Sequence, residues 1–242
     1  MTRKSFRTEH GLLVPAVTED EMRMVDHITV EDFNLSILQM MENAGRNLAQ
    51  CTLAMLDESE GPVTVLAGSG GNGGGGICCA RHLHNRGISV NLVLSRDPDA
   101  LEGAARAQLE VLLKTELLPI APARAPEAIG DAAIVVDALL GYSLQGAPRG
   151  RTKELIEFCN RDASHVLSLD LPSGMDATSG ETPGVVVHAA RTLTLALPKS
   201  GLTRYEGDLY LADIGIPPEV YRPLGIEFEP FFGDRYWLKL LY

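Results

Sequence analysis

Basic residues are scarce: 21 Lys+Arg stand against 32 Asp+Glu, a formal net charge of -11. A binder of phosphate backbones needs a basic face, so this balance argues against nucleic acid as a partner. Aromatic residues are also few, at 5% with one Trp, which leaves few stacking platforms for single strands. No uninterrupted run of eighteen apolar residues occurs, which argues against a membrane-spanning helix. The first seventeen residues carry positive charge but no apolar stretch of signal-peptide length. A soluble, cytoplasmic protein is the expectation. Only four Cys occur, Cys51, Cys78, Cys79 and Cys159, and none forms a CxxC pair. That argues against a disulfide framework or a zinc site and leaves them as reduced core residues.

What the chain does have is length, apolar residues and glycine. Its 242 residues are 45% hydrophobic and include 24 Gly, which suits one large α/β domain over 1–242. Thr18-Glu19-Asp20-Glu21 has capping-box spacing and predicts a helix start. A second helix is predicted over Asn34–Leu56, with Leu35, Leu38, Met41 and Leu48 among its apolar positions. Val63–Ala67 reads as a strand, followed by a glycine run and a helix to Arg86 that stops at Gly87. Strands are predicted at Ile88–Leu94, Ala132–Val136, Val166–Leu169, Thr192–Leu197 and Leu209–Ile214. Helices are predicted at Leu101–Leu113 and Thr152–Asn160. This alternation predicts a Rossmann-like three-layer α/β/α sandwich with a mostly parallel sheet. Residues 222–242 form an aromatic C-terminal tail. With Tyr221 this end holds Phe228, Phe231, Phe232, Tyr236, Trp237 and Tyr242, and is expected to be docked rather than free.

Ligands of such folds bind beyond the carboxyl ends of the strands. After the first long strand comes Gly68-Ser69-Gly70-Gly71-Asn72-Gly73-Gly74-Gly75-Gly76. It contains GxGxxG, and the bare backbone N–H groups of Gly73–Gly76 are expected to take a diphosphate. A flexible tight turn is the plain alternative. Asp137 closes Ile134-Val135-Val136, as a helix cap or as a cation ligand or catalytic carboxylate. Asp170 closes Val166–Leu169, and Pro172 and Gly174 then make a turn that aims Ser173. A nucleophilic Ser173 would want a His in reach, and none of His82, His84, His165 and His188 is expected in a post-strand loop. Asn72, Asp137 and Ser173 are hard oxygen donors suited to an alkali or alkaline-earth cation.

Several segments resemble the NAD(P)H-hydrate epimerases, also called the YjeF N-terminal domain. They are GNGGGG after a strand, DALLGYSLQG, LSLDLPSGMDATSGETPG, TLTLALPKSGL and the early helix LQMMENAGRNLA. The similarity runs from about Val17 to Ile216. The resemblance implies interconversion of the R and S epimers of NADHX and NADPHX, a potassium ion and a homodimer. It implies potassium ligands Asn72, Asp137 and Ser173. It places substrate on Gly71, Asn72, Gly73, Gly74 and Gly75. A second substrate loop follows at Gly141, Tyr142, Ser143, Leu144, Gln145, Gly146 and Ala147. It makes Asp170 the substrate-contacting acid, and Lys199 matches a family lysine. The family loop reads NNGGDG, so Gly71 and Gly75 replace an Asn and an Asp, and Tyr142-Ser143 replaces a Thr-Gly pair. Many relatives continue into an ADP-dependent dehydratase domain. None is expected here, which would leave that step to a separate dehydratase.

Epimerisation at a carbinolamine-like carbon can proceed by loss and return of water, with Asp170 as acid and base. Two other readings stand beside it. One is a degenerate domain used as a nucleotide-binding or protein-interaction module. The other is an NAD(P)-dependent oxidoreductase, read from GxGxxG alone.

Overall fold

Residues 3–56 and 61–242 are described by the structure, a computed structural model. Thr18 caps helix α1 (Glu19–Glu31) in the predicted way: its Oγ1 accepts from the Glu21 N–H at 3.3 Å, and Glu21 Oε2 accepts from the Thr18 N–H at 2.8 Å. Helix α2 (Ile37–Leu56) starts three residues later than its apolar spacing suggested. The cause is local. Asn34 takes a left-handed φ of 53°, and Ser36 and Gln39 make a second reciprocal cap at 2.9 and 3.3 Å. Leu38 therefore faces solvent, whereas Met41 and Leu48 are buried.

The strands are β1 (Ser5–Thr8), β2 (Leu13–Pro15), β3 (Val63–Ala67), β4 (Val90–Leu94), β5 (Ile134–Ala138), β6 (Val166–Leu169), β7 (Arg191–Leu195), β8 (Asp208–Ala212) and β9 (Trp237–Leu241). The remaining helices are α3 (Gly71–His84), α4 (Gly103–Leu112), α5 (Ala125–Gly130) and α6 (Gly150–Asp162). One sheet runs in the order β2-β1-β9-β8-β7-β6-β5-β3-β4. From β4 through β8 every pairing is parallel, while β9, β1 and β2 add antiparallel strands at one edge. β3 and β5 are buried at every position because helices cover both faces. On one face Val65 and Val136 pack with Leu48, Ile77 and Leu109 from α2, α3 and α4. On the other, Leu66 and Val135 pack with Ile129 and Leu155 from α5 and α6. This is the expected three-layer sandwich.

The β1–β2 hairpin and α5 carry too few periodic apolar residues to be read from sequence. The tail docks more tightly than expected: β9 inserts between β8 and β1. Ahead of it, Tyr221, Phe228, Phe231 and Phe232 form a ring-to-ring chain with centroids 5.4, 5.1 and 4.9 Å apart. All four cysteines are free and buried. Among the described residues no helix is long and apolar enough to cross a membrane.

Candidate active site

The carboxyl ends of β3 to β7 surround a cavity of about 530 Å³. Its roof comes from Met22 and Asp26 of α1 and from Met40, Met41 and Ala44 of α2. Those two helices precede the parallel block in sequence and return to close the side the sheet leaves open.

At the β3 end, α3 begins within the glycine run. Gly70 is its N-cap, and Gly74 N–H already donates to Gly70 O at 3.0 Å. The free amides are therefore those of Gly71, Asn72 and Gly73, so of the expected Gly73–Gly76 only Gly73 is among them. Steric contact explains the other glycines. A Cβ on Gly73 would stand 1.8 Å from Gly68 O, one on Gly74 2.6 Å from the Met41 side chain, and one on Gly76 2.5 Å from Ala138 Cβ. The run thus lets α3 press against both β5 and α2, and Gly73 and Gly74 do not line the cavity. Gly71, Asn72 and Gly75 do. At Gly71 a Cβ would meet nothing within 4 Å, and at Gly75 only Leu169 Cδ2 at 2.8 Å.

The second loop contributes only its first residues. Gly141, Tyr142 and Ser143 line the cavity, while Leu144, Gln145, Gly146 and Ala147 lie outside its wall as the chain turns away toward α6. Gly141 packs closely, since a Cβ there would lie 3.3 Å from both the Asn72 side chain and Asp170 Oδ2.

Asn72, Asp137 and Ser173 do come together. Asp137 lies inside β5, one position before the strand's last residue, and is fully buried. Its Oδ1 accepts from Ser173 Oγ at 2.6 Å and Leu139 N at 3.2 Å; its Oδ2 accepts from Ser168 Oγ at 2.8 Å and Ser173 N at 2.9 Å. The Asn72 amide donates to Leu140 O at 2.9 Å and Leu169 O at 3.2 Å, and Leu140 O also lies 3.3 Å from Ser173 Oγ. Burial pushes the Asp137 carboxyl above its ordinary range, and the hydrogen bonds from Ser173 and Ser168 oppose that. No Lys or Arg pairs with it among the described residues. The Asp137 carboxyl with no cationic partner, the Ser173 hydroxyl and the side-chain oxygen of Asn72 are hard donors that fit a monovalent cation. His188 falls, against expectation, in the connection after β6. It is exposed, however, while the Ser173 hydroxyl is committed to Asp137.

Asp170 sits just past β6 with a left-handed φ of 67°, a strained setting for a non-glycine residue and one that concentrates at functional sites. It is 3% exposed and faces Lys199, which is 1% exposed. The two form an ion pair through Asp170 Oδ1, and Lys199 Nζ also donates to Leu195 O at 2.9 Å. Asp170 Oδ2 accepts from the Tyr142 N–H at 3.1 Å. The Tyr142 ring covers Lys199 Nζ at 5.8 Å, and its hydroxyl donates to Asp26. Burial holds both the Asp26 carboxyl and the Tyr142 hydroxyl above their ordinary values. Sequence reasoning left Lys199 without a role and did not single out Asp26. The one signal for Lys199 was its match to a family lysine in ALPKSGL.

A sequence profile described as YjeF-related protein N-terminus matches residues 37–201. A protein of Dehalogenimonas lykanthroporepellens named NAD(P)H-hydrate epimerase is 48% identical over 97% of this chain and 96% of its own. A Truepera radiovictrix protein of the same name is 37% identical over 86% of this chain and 93% of its own. A bifunctional NAD(P)H-hydrate repair enzyme of Hyperthermus butylicus is 40% identical over 84% of this chain but only 39% of its own. A yeast protein of known crystal structure shares the fold at a TM-score of 0.82, with 22% identity over 93% of this chain and 99% of that one. The chain belongs to the YjeF-related N-terminal family, in which these NAD(P)H-hydrate epimerases stand.

Proposed function

We propose that this cavity epimerises the hydrated nicotinamide nucleotides NADHX and NADPHX as an isomerase of metabolite repair. The observation that carries the reading is the buried Asp170–Lys199 pair on the cavity floor, one loop away from the free amides of α3. The amides of Gly71 and Asn72 hold the diphosphate, since the helix N-terminus favours negative charge. That leaves the hydrated ring over Asp170. Departure of the ring hydroxyl as water needs a proton, and its return from the other face gives that proton back. Asp170 carries this transfer. Lys199 and the Tyr142 amide hold its orientation. Burial and the roof helices keep bulk water from the iminium formed between the two events. A potassium ion, held by Asn72, Asp137 and Ser173, would balance the buried Asp137 charge and fix the β3, β5 and β6 loops to one another.

An oxidoreductase is poorly served by the site: Gly73, Gly74 and Gly76 are packing positions, and the acid–lysine pair occupies the floor. A homodimer and a cytoplasmic location belong to the same proposal, as does a dehydratase acting downstream. Exposed Phe33 and Leu38 near the α2 start give a dimer an apolar surface to bury.

The test is an assay of mixed NADHX epimers with an S-specific dehydratase supplied. Complete consumption is expected with the protein present, and Asp170→Asn should slow it by about 10²- to 10⁴-fold. Consumption that stops when one epimer is exhausted overturns the reading.

A further inference from the structure

Two cationic side chains line the cavity, Lys199 and Arg96. Lys199 is committed to Asp170. Arg96 has no ion pair or side-chain hydrogen bond among the described residues, and it is exposed. It stands two residues past β4, the edge strand beside β3, with the buried Ser95 before it. Ser95 also lines the cavity, and its N–H donates to Ala67 O at 2.9 Å, which ties it to the end of β3.

The position has a meaning in a sheet of this kind. When a diphosphate sits at the helix after one strand, the adenosine ribose reaches the end of the neighbouring strand. An acid there takes the ribose 2′-hydroxyl, and an arginine takes a 2′-phosphate. Here the first residues after β4 are Ser95 and Arg96, a hydroxyl and a guanidinium. The nearest acid, Asp97, uses its Oδ1 to accept from Asp99 N–H at 3.0 Å, where it caps a short turn. The span is right as well. Strands lie about 4.8 Å apart, so the three intervals from β6 to β4 cover about 14 Å, the reach of a dinucleotide from nicotinamide toward adenosine. A net charge of -11 works against a substrate with an extra phosphate unless a local cation meets it.

We infer that Ser95 and Arg96 form a 2′-phosphate subsite that makes the protein prefer the phosphorylated hydrate, NADPHX, over NADHX. This rests on the epimerase reading for which nucleotide is turned over, but the subsite can be read by binding alone. Calorimetric titration of the intact protein with adenosine 2′,5′-bisphosphate and with adenosine 5′-monophosphate provides that measurement. Charge-assisted hydrogen bonds to a phosphate support a preference of about 10- to 100-fold for the bisphosphate. Arg96→Gln should abolish most of it, Ser95→Ala should reduce it, and added salt should narrow it, since Arg96 is exposed to screening. In turnover, Arg96→Gln should raise KM for NADPHX more than KM for NADHX, with the change in KM rather than kcat. Equal affinity of the wild type for the two nucleotides, binding of neither, or a preference that survives Arg96→Gln overturns the inference. A bisphosphate preference without turnover of either hydrate would defeat the epimerase reading and leave this subsite standing. Turnover of both hydrates without the preference would do the reverse.

Discussion

Lys199→Met tests the cavity floor most directly. The lysine is 1% exposed and its carboxylate partner 3% exposed, so neither charge has water to fall back on. Removing one member of a buried pair leaves the other desolvated and uncompensated, at a cost of about 3–5 kcal/mol. Asp170 would keep only the Tyr142 amide at 3.1 Å and the Thr194 hydroxyl at 3.4 Å. For a chain of this length that cost lowers Tm by about 6–20 °C. Asp170→Asn is the matched change from the other side. Asn tolerates the left-handed φ of 67° at this position, so its effect reports on charge rather than on backbone strain. It strands Lys199 with the Leu195 carbonyl at 2.9 Å. The double variant has no charge left to strand and should cost clearly less than the two single variants added together. Urea denaturation of all four proteins closes the cycle. Single variants that each cost under about 1 kcal/mol, or strict additivity, would show that the pair is not electrostatically isolated and would undo the account of the site.

Other perturbations separate packing, charge and cation binding. Gly76→Ala pushes a methyl to 2.5 Å from Ala138 Cβ between two rigid elements and should destabilise by about 1–3 kcal/mol, while Gly71→Asn, with nothing within 4 Å, should fold normally; thermal melts compare them. Asp137→Ala should lower Tm, and it should erase any extra stability that potassium gives over a bulky organic cation; melts in the two salts that differ equally for wild type and variant would remove the cation from Asp137. Glu42 is desolvated, which raises its pKa, but hydrogen bonds from Arg81, His82 and Cys78 outweigh this and hold it down to about 2 from an ordinary 4.5. Its contribution is therefore present above pH 4.5 and lost as pH falls toward 2. His82, held below 6.5 by burial, works in the same direction. Glu42→Gln should flatten the acid limb of the stability–pH curve, and an unchanged acid limb would count against that network.

The parallel half of the sheet was legible because buried strands announce themselves as unbroken apolar runs. Val63–Ala67 and Val166–Leu169 were read to the residue. The carboxylates at strand ends were legible for the same reason, since Asp137 and Asp170 interrupt such runs, although Asp137 proves to lie inside β5 rather than after it. The glycine run was read as bare backbone for a phosphate, but four consecutive glycines serve two ends. Gly75, like Gly71 and Asn72 before the four, faces the cavity, whereas Gly74 and Gly76 are bare for Met41 and Ala138, partners distant in sequence. The Ser36–Gln39 cap was visible as a spacing and was overlooked in favour of apolar periodicity. The roles of Lys199 and Asp26 depend on which segments the topology folds over one another, which a linear pattern does not carry.

The position of β9 has a consequence for the order in which the molecule can be completed. In the ladder, the β1–β2 hairpin reaches the parallel strands only through residues 237–241. On a ribosome the hairpin over residues 5–15 must therefore wait, through the synthesis of more than two hundred residues, for residues 237–241 to arrive. During that interval the open edges of β1 and β8 are unsatisfied templates for a strand from another copy. A nascent chain stalled before Trp237 would carry a finished active-site floor beside an unfinished edge, a species prone to strand exchange rather than to loss of its chemistry.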